Sequence, residues 1–276
     1  NEGRVWADAR PGARRAEGVV REPVWELSLD SAGLAVRFTC DSSEIHARWQ
    51  LRKPGLAMNH MPATGVSGLD LYVQTPAGWR WLAVGIPQSQ EDSTAVLCSD
   101  LPPGEREYML YLPLYNGVES VELGVPSGAG RITAAPPRPD PAPVIFYGTS
   151  ITQGGCASRP GMAYPAILGR RLGLPTVNLG FSGNGRCEPE VAELLSSLPP
   201  PAAFVIDPLP NMTHDVVTEL APGLVHKIRE NHPQTPILLV EDRIYASVHS
   251  GLTTGMDERN RTNREALQQV FAALKA

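Results

Sequence analysis

The chain has 276 residues, with 24 Lys and Arg against 29 Asp and Glu, a formal charge of −5 at pH 7. That mildly acidic balance argues against non-specific nucleic-acid binding, which needs clustered positive charge. Apolar residues make up 42%, too many for a disordered chain. No apolar run approaches the roughly 20 residues of a membrane-spanning helix.

In chain order, all five tryptophans (Trp6, Trp25, Trp49, Trp79, Trp81) fall in the first 81 residues, which predicts two differently built halves. From about residue 24 to 125 the pattern is one of short strands between turn signals. Leu34–Thr39 (LAVRFT) alternates, and Glu44–Leu51 (EIHARWQL) follows across Asp41, Ser42 and Ser43. Gly68–Gln74 and Trp79–Val84 flank Thr75-Pro-Ala-Gly, a hairpin turn. Glu107–Leu112 and Val118–Val125 flank Asn116-Gly117, which also reads as a hairpin because both residues tolerate positive φ. Such spacing predicts an antiparallel, jelly-roll-like β-sandwich domain over residues 1–133.

Ala134–Pro143 (AAPPRPDPAP) carries five prolines in ten residues and reads as a linker over 134–143. Beyond it, over 144–276, strands become unalternating apolar runs: Val144–Tyr147, Thr176–Leu179, Phe204–Asp207 and Pro236–Val240. Strands buried on both faces of a parallel sheet look like this. Between them lie helical stretches, Met162–Leu172, Pro189–Leu198 and Val216–Asn231, and a last helix spans Asp257–Lys275. Leu267, Val270, Phe271 and Leu274 supply its apolar spacing. Alternating strands and helices predict an α/β class with a doubly wound sheet.

The four cysteines (Cys40, Cys98, Cys156, Cys187) include no Cys-x-x-Cys pair, so no zinc ribbon or dithiol redox site is indicated. The histidines show no metal spacing. The chain starts at Asn1 rather than Met, which is compatible with a removed export signal, and an exported location is favoured over a cytoplasmic one.

Ligands of open α/β sheets bind at the carboxyl ends of the strands. After the first strand comes Gly148-Thr-Ser-Ile-Thr-Gln-Gly-Gly, after the second Gly180-Phe-Ser-Gly-Asn-Gly, after the third Pro208-Leu-Pro-Asn-Met-Thr. Ser150, at a strand-to-helix junction, is either an N-cap or a nucleophile. The glycines of the second tip and Asn211 on the third are the donors an oxyanion hole needs, which supports the second reading. The segment is neither Gly-x-Ser-x-Gly nor a phosphate loop.

The blocks FYGTSITQG (146–154), NLGFSGNG (178–185) and IDPLPNMT (206–213) together resemble the first three blocks of the SGNH hydrolases, the GDSL-like esterases. Gly68-Leu-Asp-Leu-Tyr72 resembles the Gly-x-Asp-Leu-Tyr signature of the β-sandwich domain that precedes a bacterial branch of that family. The resemblance implies a flavodoxin-like three-layer α/β/α domain. It implies Ser150 as nucleophile and an oxyanion hole from the Ser150 N–H, the Gly183 N–H and the Asn211 amide. Arg159 and Tyr164, on the loop and helix start after the nucleophile, are candidate substrate contacts. The implied activity is hydrolysis of short acyl, acetyl-like oxygen esters, carbohydrate esters included, with no cofactor or metal and a small-molecule or carbohydrate substrate as partner.

One element departs from the family pattern. The family supplies its general base from an Asp-x-x-His near the C-terminus, and none occurs between Val240 and Ala276, where His249 is the only histidine. Three accounts stand side by side: the His-bearing segment is missing from this chain, His214 beside Asp215 substitutes, or the protein binds esters or carbohydrate without turnover. Glu241, Asp242 and Arg243, at the fourth tip, either line the site mouth or pair with one another.

Overall fold

The computed structural model describes residues 19–136, 141–252 and 255–275. The expected linker is therefore seen only at its two ends, and residues 137–140 lie outside the described part. The first half opens with a helix, α1 (Glu22–Ser28), where the sequence reading places strands. Pro23 near its start suits a first helical turn. Its buried Val24 packs into the core of the second half rather than the sandwich.

Eight antiparallel strands follow: β1 (Ala35–Cys40), β2 (Ile45–Leu51), β3 (Leu69–Thr75), β4 (Gly78–Gly85), β5 (Ser93–Cys98), β6 (Arg106–Tyr111), β7 (Val118–Gly124) and β8 (Ile132–Ala134). A one-turn helix α2 (Ala63–Val66) precedes β3. The strands form a five-stranded sheet, β4-β3-β6-β1-β8, and a three-stranded sheet, β5-β2-β7. Phe38, Trp49, Leu69, Leu71 and Leu110 belong to the core that joins the two sheets. The Trp49 ring is fully buried and donates to the Ser67 carbonyl at 3.2 Å, which satisfies its one polar atom. The unforeseen strands β5 and β8 are both sheet edges, paired on one side only, with weak apolar patterns.

The hairpin across Thr75-Pro-Ala-Gly forms, with Gly78 at φ +90°. The one expected across Asn116-Gly117 does not. There β6 pairs with β1 and β3 while β7 pairs with β2 in the other sheet, so the segment crosses between sheets. Neither residue has positive φ. Asn116 is buried and works through its side chain: Oδ1 accepts from the Lys53 N–H (2.9 Å), and Nδ2 donates to the Lys53 carbonyl (3.0 Å) and Ser67 Oγ (3.1 Å). Gly117 is required because a Cβ would sit 2.6 Å from the Leu29 carbonyl oxygen.

The second half holds β9 (Val144–Gly148), α3 (Ser150–Gln153), α4 (Tyr164–Leu172), β10 (Thr176–Gly180), α5 (Pro189–Ser196), β11 (Ala203–Asp207), α6 (His214–Asn231), β12 (Ile237–Leu239), α7 (Ala246–His249) and α8 (Gly255–Lys275). The four strands are parallel in the order β10-β9-β11-β12, the doubly wound arrangement expected. Ile145, Tyr147, Leu179, Phe204 and Ile206 form one core with α1, α5, α6 and α8. In α8 the buried stripe is Ala266, Leu267 and Val270, whereas Phe271, counted in the apolar spacing, is half exposed. The opposite side of the sheet carries α4, beside a cavity of about 600 Å³ lined by Val205, Leu238, Val240, Leu168 and Leu172 among others.

The halves are bound together through β6, buried along Tyr108, Met109, Leu110 and Tyr111. Met109 and Tyr111, with Tyr72 and Ala35, pack on Ala166 of α4. The Arg170 guanidinium lies 4.0 Å over the Tyr72 ring. Leu114 and Tyr115 meet Ala163 in a second contact. Because Asn116 satisfies three buried groups at the sheet crossing, Asn116→Ala is expected to cost about 2–4 kcal/mol in urea unfolding at neutral pH. A loss below about 0.5 kcal/mol would show that water replaces the amide there.

Candidate active site

The three tips do meet. The Phe181 N–H donates to the Gly148 carbonyl at 2.9 Å, joining the ends of β10 and β9. Gly185 lies so close that a Cβ on it would overlap the same carbonyl, and one on Gly180 would overlap the Gln153 backbone. The Asn211 amide donates to the Asn184 carbonyl, joining the third tip to the second. A primary amide has two N–H bonds, and the bond to Asn184 orients the other.

Ser150 is the first residue of α3, but the cap is Thr149, whose hydroxyl accepts from the Ile151 N–H at 3.3 Å. This decides against the N-cap reading of Ser150: its hydroxyl is not spent on the helix. The Ser150 carbonyl is bonded instead, by the N–H groups of Gly154 (3.0 Å) and Gly155 (2.7 Å) and by the Tyr115 hydroxyl (3.4 Å). On the second tip Phe181–Asn184 is a turn closed by Asn184 N–H to Phe181 carbonyl, 2.9 Å, with Gly183 exposed at φ +67°. Glycine is suited there, since other residues rarely adopt that backbone.

Beneath the second tip Glu188 is a polar anchor. Its Oε2 accepts from the Tyr147 hydroxyl and the Arg186 N–H, each at 2.8 Å, and its Oε1 from Arg21 at 2.6 Å. The same guanidinium nitrogen of Arg21 reaches Asn184 Oδ1 at 2.7 Å. Burial alone would raise the Glu188 carboxyl, but Arg21 and the N–H donors more than offset it and hold the pKa below the ordinary value. The third tip is held from α8: Arg259 donates to the Pro210 carbonyl (2.7 Å) and Asn263 to that of Met212 (3.0 Å).

With this geometry in place the comparisons fall into line. Residues 141–276 match the GDSL-like Lipase/Acylhydrolase family, and residues 3–130 match the GxDLY N-terminus of SGNH-hydrolase-type esterases. A protein of Bacteroides ovatus ATCC 8483 named as a GDSL-like lipase has a TM-score of 0.89 and 34% identity, covering 96% of this chain and 76% of that one. The chain belongs to the GDSL-like lipase/acylhydrolase family. Two more distant likenesses show the fold alone. The salicylyl-acyltransferase SsfX3 of a tetracycline biosynthetic pathway has TM-score 0.73 and 21% identity over 95% of this chain and 72% of that one. A family two carbohydrate esterase of Clostridium thermocellum, in complex with cellohexaose, has TM-score 0.59 and 18% identity over 88% and 80%. No curated protein sequence matches the chain.

The other expected residues of this GDSL-like protein take varied positions. Arg159 faces the sandwich: its Nε is 3.4 Å from Asp70 Oδ1 and its guanidinium lies 4.8 Å over the Trp81 ring. Tyr164 does border the large cavity, and its hydroxyl donates to Asp207 Oδ2 at 3.3 Å, with Thr152 Oγ1 at 3.1 Å. Burial, then the Asp207 charge, push the Tyr164 pKa up. His214 opens α6, is exposed, and pairs with Asp215 at 3.1 Å; no contact joins it to Ser150 among the described residues. Arg243 pairs with Asp242 at 2.6 Å, and Glu241, Asp242 and Arg243 also line the large cavity. All four cysteines are free.

The residues that sequence reasoning missed are the buried acids. Asp70 is wholly buried and accepts from the Gly161 N–H (2.8 Å) and Trp81 Nε1 (3.0 Å), tying β3 to the loop after α3. Its place in the GxDLY block was the available signal. Burial is the main cause that raises Asp70 from 3.8 to about 6, and likewise Asp207 to about 6. A carboxyl raised on folding holds more protons in the native state between those pH values. Its favourable contribution is full below 3.8 and is lost as pH rises through 6, up to about 3 kcal/mol for each group. Glu188 acts with the opposite sign, so the difference from a variant is the cleaner readout. Asp70→Asn is expected to gain relative stability over wild type between pH 4 and pH 7 in urea titrations. A pH-independent difference would overturn the assignment.

Proposed function

We propose that the protein is a serine esterase that hydrolyses short acyl, acetyl-like oxygen esters, carbohydrate esters included, through an acyl-enzyme on Ser150. On this reading β1 to β8 make up a sandwich domain, and β9 to α8, with α1 packed on their core, the hydrolase domain. The observation that carries the proposal is the junction of the three tips: the tip that bears Ser150, whose helix is capped by Thr149, is joined through the Gly148 carbonyl to a glycine turn to which the Asn211 amide is bonded.

The Ser150 Oγ attacks the ester carbonyl as its proton passes to a base. The Ser150 and Gly183 N–H groups and the free Asn211 N–H receive the oxyanion charge. Collapse expels the alcohol, which takes up the proton, and water then hydrolyses the acyl-serine by the same route. His214, three residues after Asn211 and hydrogen-bonded to Asp215, is the candidate base in this chain. The second reading, an ester- or carbohydrate-binding protein with impaired turnover, is favoured by the exposure of His214 and by the absence of any contact between it and Ser150 among the described residues.

A fluorophosphonate probe and p-nitrophenyl acetate separate the two. The esterase reading expects labelling and turnover, both abolished in Ser150→Ala. It expects kcat to fall about 10²–10³-fold in Asn211→Ala, the usual cost of one oxyanion donor. His214→Ala should lower kcat by about 10²-fold or more if that imidazole is the base. Labelling without turnover would favour the impaired reading, and neither signal would end the esterase proposal.

A further inference from the structure

Gln153, the last residue of α3, is wholly buried. Its Nε2 donates to Asp30 Oδ2 at 3.3 Å and to the Leu114 carbonyl at 3.1 Å, while its Oε1 accepts the Ser182 N–H at 2.9 Å. Two acceptors on one side and a donor on the other leave a single satisfied orientation for the amide. The acceptor side is itself fixed. Asp30 is buried, and its Oδ1 pairs with Lys53, whose Nζ also reaches the Tyr115 carbonyl at 3.3 Å. The Lys53 backbone is held on both sides by Asn116. A continuous polar chain therefore runs from the sheet crossing of the sandwich through Lys53, Asp30 and Gln153 to Ser182, the residue before Gly183.

Position makes this chain consequential. Gln153 lies three residues after Ser150 on one helical turn, so the group that grips the second tip is rigidly joined to the proposed nucleophile. Asn178 ties the end of β10 to α3 one residue earlier, donating to the Thr152 carbonyl (2.8 Å) and accepting the Gly180 N–H (2.9 Å), whereas the bond from Ser182 to Gln153 is the one that reaches the peptide next to Gly183. We infer that Gln153 is a positioning residue: with its orientation imposed by the Lys53–Asp30 pair, it sets the Ser182–Gly183 peptide relative to Ser150, and so makes the sandwich half part of the catalytic geometry. Its kinetic consequence rests on the esterase reading, whereas its structural consequence does not.

The test reverses the polarity and then restores it. In Gln153→Glu a carboxylate faces Asp30 and the Leu114 carbonyl, so the side chain must turn away or repel both. Amide hydrogen exchange at Ser182, measured by NMR, should accelerate about tenfold or more in a protein that remains folded. With p-nitrophenyl acetate, kcat should fall about 100-fold and KM should change little, because the loss lies in the transition state. The double variant Asp30→Asn with Gln153→Glu puts an amide donor opposite a carboxylate, and leaves an acceptor for Ser182. It should recover about tenfold in both readouts, short of wild type because the Leu114 bond stays lost. If the single variant does not fold, Gln153→Met replaces it: exchange at Ser182 should rise, and Asp30→Asn should give no recovery. Unchanged Ser182 exchange in a folded Gln153 variant overturns the inference, as does a double variant no better than the single. If wild type shows no turnover that depends on Ser150, the esterase reading fails and the exchange measurements alone decide the inference.

Discussion

The site depends on one constraint: the ends of β9 and β10 touch backbone to backbone. A Cβ on Gly185 would overlap the Gly148 carbonyl, one on Gly180 the Gln153 backbone, and one on Gly148 the Asp207 carbonyl and the Thr152 hydroxyl. That contact brings the second tip against the first, where the Phe181 N–H bonds the Gly148 carbonyl and the Ser182 N–H bonds Gln153 Oε1. The second tip can lie against α3 and the end of β9 only because side chains are missing at Gly180 and Gly185. A parallel sheet places its strand ends side by side at one edge, so the topology supplies proximity and the glycines convert it into contact.

Much of this was legible in the residues. Apolar runs without alternation marked β9 to β12 within a residue or two, because strands buried on both faces have no polar side to confuse the pattern. The order of the three blocks marked the tips. Features that depend on tertiary partners were harder to read. Asn116-Gly117 has the composition of a hairpin turn, yet its amide is used to hold Lys53 and its glycine to admit the Leu29 carbonyl. Local preference could not reveal either use. The helix α1 was hidden for a related reason, since its buried residue answers to a core built from the far half of the chain.

The GxDLY block shows how a motif can be visible while its purpose is not. Asp70 is a buried acid on a strand, a costly choice unless partnered. Its partners are the Gly161 N–H, the Trp81 indole and Arg159, and two of these lie across the junction between halves. Arg159, a candidate substrate contact, pairs with that acid. Loop 157–161 is also held by Thr64, whose hydroxyl donates to the Ser158 carbonyl at 2.6 Å. The sandwich thus grips the loop after α3 from α2 and β3, and the helix α3 itself from Asp30.

A site that stabilises an oxyanion must not surround it with uncompensated negative charge. The buried acids among the described residues follow this rule with one exception. Asp30 pairs with Lys53, Asp70 with Arg159, Glu188 with Arg21, and Asp242 with Arg243. Each pair anchors a loop while adding little net charge. Asp207, at the end of β11, is instead held by the neutral hydroxyls of Tyr164 and Thr152, and the Asp242 carboxylate adds repulsion. Burial raises its pKa to about 6 against the hydroxyl donors and the more distant Arg243, as burial also raises Asp70 to about 6 against Arg159. The three loops that carry the proposed chemistry are therefore tied down by neutral ion pairs. The remaining uncompensated carboxyl lies beside the apolar cavity, where Tyr164 links it to α4.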